Sequence, residues 1–266
     1  MLPPFDQSEF LFFNYFNALA GRTNQLQQAA DMMYLRRVVE GLQLSAAETG
    51  NANPVPTDDS IEMIAGHSQG ALTVPHILAA DSAFDAGFIS AGGGGLYQTI
   101  LHRGDVRSLL ITVIGTGSNE LDMFHPLVHV LQTFAEVGDA ANYAPHVQTA
   151  HVLSTSGLID GCSPVEVASI LGTALGLEVA NPLFFPVFGS TTLEPPITTL
   201  PVTGNLPGGR TGVTVQLDTG HFGTVTNPTL GRSFADSLAT GGTPTVNPNP
   251  LLSDTTEGCP RFDPLP

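Results

Sequence analysis

The residues best placed for chemistry lie in Gly66-His67-Ser68-Gln69-Gly70, a serine bracketed by glycines. The short apolar run Ile61–Ala65 before it reads as a buried strand, and Ala71–Ala80 after it as a helix whose first turns Pro75 bends or shortens. A Gly-x-Ser-x-Gly sequence at a strand-to-helix turn holds its serine in a strained conformation, and the glycines keep neighbouring side chains from colliding with it. Ser68 is then a candidate nucleophile at the C-terminal edge of a sheet. There the backbone N–H of Gln69 and the helix N-terminus can stabilise an anion developing on a substrate oxygen.

A serine hydroxyl is a weak nucleophile at neutral pH, so it needs an imidazole to take its proton and a carboxylate to orient that imidazole. Of eight histidines, His221 is the candidate base: Asp218-Thr-Gly-His221-Phe-Gly follows a strand and precedes the last helix. Loops at strand ends are where a base can reach such a turn. His67, inside the turn, is expected to point elsewhere, and His76 and His102 fall on or near helices. His125 and His129 have the spacing of ligands on a helix, but Pro126 stands where a zinc-peptidase sequence carries its Glu, so no metal is called for. For the acid, Asp160 follows the strand Val147–Ser154 and lies 61 residues before His221. Asp139 precedes that strand and Asp218 is too near His221 to pair easily, so chain order favours Asp160.

Composition excludes other chemistries. The chain of 266 residues has 8 Lys plus Arg against 24 Asp plus Glu, a formal charge of -16 that opposes binding to nucleic acid and anionic lipid. It contains no lysine, which removes Schiff-base chemistry and phosphate-cradling loops, so Gly92–Gly95 is no nucleotide loop. No apolar run is long enough to span a membrane. No basic, apolar leader opens the chain, so a signal peptide is expected to have been removed or the chain to be less than the whole gene product. Cys162 and Cys259 form no metal or redox pair. An acidic, lysine-free, Thr/Pro/Gly-rich chain fits an extracellular setting where a disulfide survives, and a Cys162–Cys259 bond is expected to pin the tail beside Asp160.

The elements that must position these residues alternate. Glu9–Phe16 reads as a strand, 17–24 as a loop, and a helix runs from Asn24, with Gln27 as its capping partner, to about Gly41. Gly87–Ala91 is the strand after the serine turn, residues 96–137 are mostly helical, and Val165–Leu177 is a helix. Thr211–Leu217 is a strand, and Pro228 opens a final helix with Leu230, Phe234 and Leu238 on one face. Strands alternating with helices give an α/β fold with a mostly parallel sheet flanked by helices, over residues 1–240. Residues 181–210 are proline-rich yet hold Leu183, Phe184, Phe185, Val187 and Phe188, an irregular apolar insert or pocket wall. Residues 241–266 form a Pro/Gly/Thr-rich tail that would dangle unless Cys259 ties it down.

Gly-His-Ser68-Gln-Gly, Gly-Leu-Ile-Asp160 and Gly-His221-Phe, ordered along strand–helix repeats over about residues 9–240, resemble the α/β-hydrolase superfamily, in particular secreted bacterial lipases and esterases. The resemblance implies Ser68 as nucleophile, Asp160 as acid and His221 as base, with no cofactor. It implies a serine carboxylic-ester hydrolase acting on hydrophobic small-molecule or lipid esters. A serine peptidase or amidase with the same triad is the alternative, as is a weakly active or inert binding protein or fragment. The family's first strands, and the loop after one of them that supplies the second oxyanion N–H, are expected to be absent here, leaving that donor unknown and the site half equipped. The sheet edge so exposed is expected to be covered by Leu183–Phe188, by the N-terminal residues, or by a second chain in a homodimer.

Overall fold

The computed structural model describes residues 12–14, 17–57, 60–115, 117, 121–186, 196–226, 228–248 and 259. Helix α1 (Ala18–Val39) comes first, then a small ladder of β1 (Gln43–Leu44) and β2 (Val55–Pro56) with α2 (Ala46–Thr49) between them. The main sheet begins with β3 (Met63–His67), α3 (Gln69–Ala80) and β4 (Ala86–Ser90), followed by α4 (Leu96–His102), α5 (Gly104–Ile114), α6 (Pro126–Ala135) and α7 (Ala140–Tyr143). It continues through β5 (His151–Gly157), α8 (Val165–Ala174), β6 (Glu178–Val179), β7 (Gly212–Leu217), α9 (Gly223–Thr226) and α10 (Pro228–Ala239). The order is β3-β4-β5-β7-β6 and every pairing is parallel.

Both faces of the sheet are covered, which is why β7 is buried along its whole length. Alternation sends Val152 of β5 to the face packed by Val74 and Ile77 of α3 and Leu171 of α8, and Leu153 to the other. On that second face Leu230, Phe234 and Leu238 of α10 pack on Val213, Val215 and Leu217. The four-residue spacing seen in the sequence is thus the stripe that docks α10. Phe234 is fully buried, and truncating it to Ala would cost ~3–5 kcal/mol.

Two local expectations are corrected. The described part of 9–16 is not a strand: Phe12 and Phe13 are helical, and α1 begins at Ala18 rather than at Asn24. Asn17 is the cap, its side chain accepting the Ala20 N–H at 3.2 Å, while Asn24 Nδ2 donates to the Phe12 carbonyl at 2.8 Å. The first turns contain Gly21 and Thr23, weak helix formers, so the apolar period starts later than the helix. Next, the described residues 183–186 cover no exposed edge at β3. The Phe184 and Phe185 N–H groups both donate to Gln216 Oε1 at 2.8 Å, and Gln216 Nε2 donates back to the Phe185 carbonyl at 2.8 Å, fastening the segment to β7. Val187 and Phe188 lie outside the described residues. At the start of the tail Val202 and Val246 exchange main-chain hydrogen bonds, and Thr211 Oγ1 donates to the Pro244 carbonyl at 2.6 Å.

Candidate active site

Ser68 stands one residue beyond β3, with φ 55° and ψ -121°, a backbone region that residues with a side chain rarely adopt. The turn is tight enough that a Cβ on Gly66 would run into the Gly70 carbonyl. The Ser68 N–H donates to the Ser90 carbonyl at 2.9 Å, tying the turn to the end of β4. Sheet geometry brings in the other two residues. The register of β5 and β7 sets Gly157 opposite Leu217, and the loops that follow are zipped by Leu158 N–H to Leu217 O at 3.0 Å and Ile159 N–H to Thr219 O at 3.2 Å. Asp160 and His221 sit on these two loops. Three strand spacings, ~14 Å, separate β7 from β3, so the loop after Leu217 must cross back over the sheet edge to meet Ser68.

It does so. His221 Nε2 lies 2.8 Å from Ser68 Oγ, and His221 Nδ1 lies 2.8 and 3.0 Å from the two oxygens of Asp160. Asp160 is completely buried and His221 nearly so. Asp160 Oδ1 also accepts the N–H groups of Cys162 and Ser163, both at 2.8 Å, which fixes the carboxylate's orientation. Cys162 is disulfide-bonded to Cys259, with Cα atoms 4.9 Å apart. Asp160, Cys162 and His221 are close enough to hold an ion, but the sulfur is committed to the disulfide and the carboxylate to His221 and two N–H groups.

The rival residues are placed elsewhere. Asp139 is buried and accepts from the Gly95, Leu96 and Ala141 N–H groups and from Gln132 Nε2, so it anchors the end of the Gly92–Gly95 run. Asp218 is exposed. His125 Nδ1 accepts the Leu127 N–H at 3.2 Å as the cap of α6, and His129 is exposed. His67 does not point away from the site: its ring packs 4.8 Å from that of His221, with Nδ1 3.1 Å from Ser90 Oγ. Burial, and then the neighbouring His221, hold His67 below the usual imidazole range.

Ser68 opens into a cavity of about 450 Å³. Its walls are mainly apolar, with Leu72 of α3, Leu96 and Ile100 of α4, Leu109 and Leu110 of α5 and Leu131 of α6. Among the described residues the lining comes mainly from α1, α3 and the helices between β4 and β5, and from none of those described in 181–210. Phe13 and Asn14 line the same cavity, so the chain ahead of α1 does reach the site. Arg22 and Gln25, which the sequence reading did not single out, also face it. Their three-residue spacing would have flagged them had the start of α1 been placed correctly.

The parallel sheet, the serine turn after β3 and the loops after β5 and β7 bring Ser68, Asp160 and His221 together at one end of the sheet. No protein family and no curated protein matches the chain. Among solved structures it is similar to acetyl xylan esterase 1 from a Thermoanaerobacterium species, at 15% identity and a TM-score of 0.45, over 84% of this chain and 56% of that one. It is also similar to a puromycin-hydrolyzing peptidase of Mycobacterium tuberculosis, at 15% identity and a TM-score of 0.40, over 73% of this chain and 22% of that one. The acylaminoacyl peptidase of Pyrococcus horikoshii, uncomplexed, gives 14% identity and a TM-score of 0.39, over 64% and 22%. The match thus spans little more than a fifth of the two peptidases and about half of the esterase.

Proposed function

We propose that the chain is a serine carboxylic-ester hydrolase. The observation that carries this reading is the unbroken line of hydrogen bonds from Ser68 Oγ through His221 to Asp160, ending on a serine held at positive φ. In this reading Ser68 Oγ attacks the ester carbonyl carbon as His221 Nε2 takes its proton. His221 then passes that proton to the departing alcohol, and water attacks the acyl-enzyme by the same route in reverse. Asp160 keeps the proton of neutral His221 on Nδ1, leaving Nε2 free to accept. The Gln69 N–H at the start of α3 is one donor to the oxyanion.

An apolar cavity of about 450 Å³ favours an acyl chain or another hydrophobic ester over a sugar. The Cys162–Cys259 disulfide favours an oxidising, extracellular setting, and among the described residues no helix is long and apolar enough to cross a membrane. A fluorophosphonate probe followed by peptide mapping tests the reading. Labelling at Ser68, with turnover of p-nitrophenyl esters and none of matched anilides, is expected. No labelling of folded protein, or labelling of another residue, overturns it.

A further inference from the structure

Cations are scarce in this chain, eight arginines and no lysine, so where each one sits carries information. Most arginines withdrawn from solvent are met by acceptors of the protein itself. Arg36 is ringed by Glu40, Glu62 and Asp81, and Arg103 is clamped by Asp105 at 2.9 and 3.0 Å. Arg107 reaches the Leu101 carbonyl, and Arg210 donates to the Ala150 carbonyl at 3.0 Å. Arg22 differs. It is half-buried, lines the cavity that holds Ser68 and His221, and among the described residues has no carboxylate within ion-pair distance. Its Nε is buried without a hydrogen-bond partner.

One turn further along the same face of α1 stands Gln25, 3% exposed, also lining the cavity and with its Oε1 unpartnered. The rest of the lining is mainly apolar, and the other arginine in it, Arg103, is held by Asp105. A guanidinium N–H and an amide oxygen left without partners in such a place cost stability unless something from outside satisfies them. The guanidinium is a planar fork that fits the oxygens of a carboxylate or a phosphate, and Gln25, with its amide turned over so that Nε2 takes the place of the unpartnered Oε1, can add an N–H.

We propose that Arg22, assisted by Gln25, forms an anion subsite within the substrate cavity, so that the favoured ester carries an anionic oxygen group, carboxylate or phosphate, joined to an apolar chain. This rests on the ester-hydrolase reading above and deepens it. A net charge of -16 would otherwise repel such a substrate, so a single unpaired Arg would select for it locally.

The test compares p-nitrophenyl hexanoate with the mono-p-nitrophenyl ester of adipic acid, matched in chain length. The ratio of kcat/KM for the anionic to the neutral ester should fall about tenfold to a hundredfold in Arg22→Gln and recover in part in Arg22→Lys. Salt should narrow the wild-type ratio. An unchanged ratio in folded Arg22→Gln overturns the proposal. If Ser68 proves unlabelled by the fluorophosphonate, the hydrolase reading fails by itself, and binding still judges the subsite. In calorimetry with the wild-type protein, hexanoate or hexyl phosphate should bind at least tenfold tighter than hexanol, the tighter of the two naming the anion. Equal binding of all three overturns the subsite, as does a preference that survives in Arg22→Gln.

Discussion

Replacing Asp160 by Asn separates orientation from charge, and the outcome can be worked from four hydrogen bonds. Asp160 Oδ1 is fixed by the Cys162 and Ser163 N–H groups, while Oδ2 faces His221 Nδ1 at 2.8 Å. In Asp160→Asn the amide oxygen must keep the Oδ1 place. The opposite flip would set an NH2 against two N–H donors and leave them unsatisfied, at ~1–3 kcal/mol each. The NH2 therefore faces His221, whose Nδ1 must now accept. The imidazole proton moves to Nε2, which donates to Ser68 Oγ where it should accept, and the serine cannot be deprotonated. A wrong tautomer of this kind lowers kcat by ~10⁴-fold, about 5 kcal/mol of barrier. The loop keeps its hydrogen bonds and loses only their charge assistance, so stability should change by no more than ~1 kcal/mol. The measurements are kcat on p-nitrophenyl butyrate, the rate of fluorophosphonate labelling, and thermal melting. Activity within tenfold of wild type in folded Asp160→Asn would refute the reasoning. Asp139→Asn is the contrast: donors face both of its oxygens, so it should lower the melting temperature while kcat stays far above that of Asp160→Asn.

Ser68→Ala and Ser68→Gly should both abolish probe labelling, but the glycine variant should be the more stable by ~1 kcal/mol, because it alone adopts φ 55° without strain; equal denaturant midpoints would count against strain at the turn. Reduction, or Cys259→Ser, opens a loop spanning 97 residues, so stability should fall by up to ~4–5 kcal/mol; intact mass before and after reduction reads the bond, and two free thiols in unreduced, denatured protein would disprove it. Burial holds His67, His76 and His151 below the usual imidazole value of 6.5, with His221 adding to the effect on His67 and Arg210 to that on His151. The unfolded chain takes up protons at these sites below pH 6.5 while the folded protein resists, so stability should fall as pH drops through 6.5 toward 5; a melting temperature flat over that range would contradict the assignment.

Much of the site was legible because it is written locally. Gly66 and Gly70 around Ser68, a strand before and a helix after, describe a turn that sequence neighbours alone dictate. Asp160 and His221 were legible because each follows a recognisable strand, so a parallel sheet puts both at the same edge. What was not legible depends on side chains far apart in sequence. The cavity walls come from α4, α5 and α6, apolar helices whose pattern says that they are buried but not against what. A side-chain amide on β7, Gln216, fastens Phe184 and Phe185, and composition carries no sign of it. The start of α1 was lost because Asn17 and Asn24 are both good caps, and what decides between them is that Asn17 accepts the Ala20 N–H while Asn24 donates to the Phe12 carbonyl.

The strand that leads into Ser68 is β3, and among the described strands of the sheet it has a neighbour on one side only, β4. His221 and Asp160, by contrast, hang from β7 and β5, each held between two neighbours. Ser68, the proposed nucleophile, is thus carried by the margin of the sheet while Asp160 and His221 are carried by the middle. Opening of β3 breaks its bonds to β4, its packing on α3 and the contact of Met63 with the second-face core, a smaller unit than the global fold. Amide hydrogens of residues 63–67 should exchange with solvent ahead of those of 212–217, and warming should silence Ser68 while the interior around Phe234 still holds.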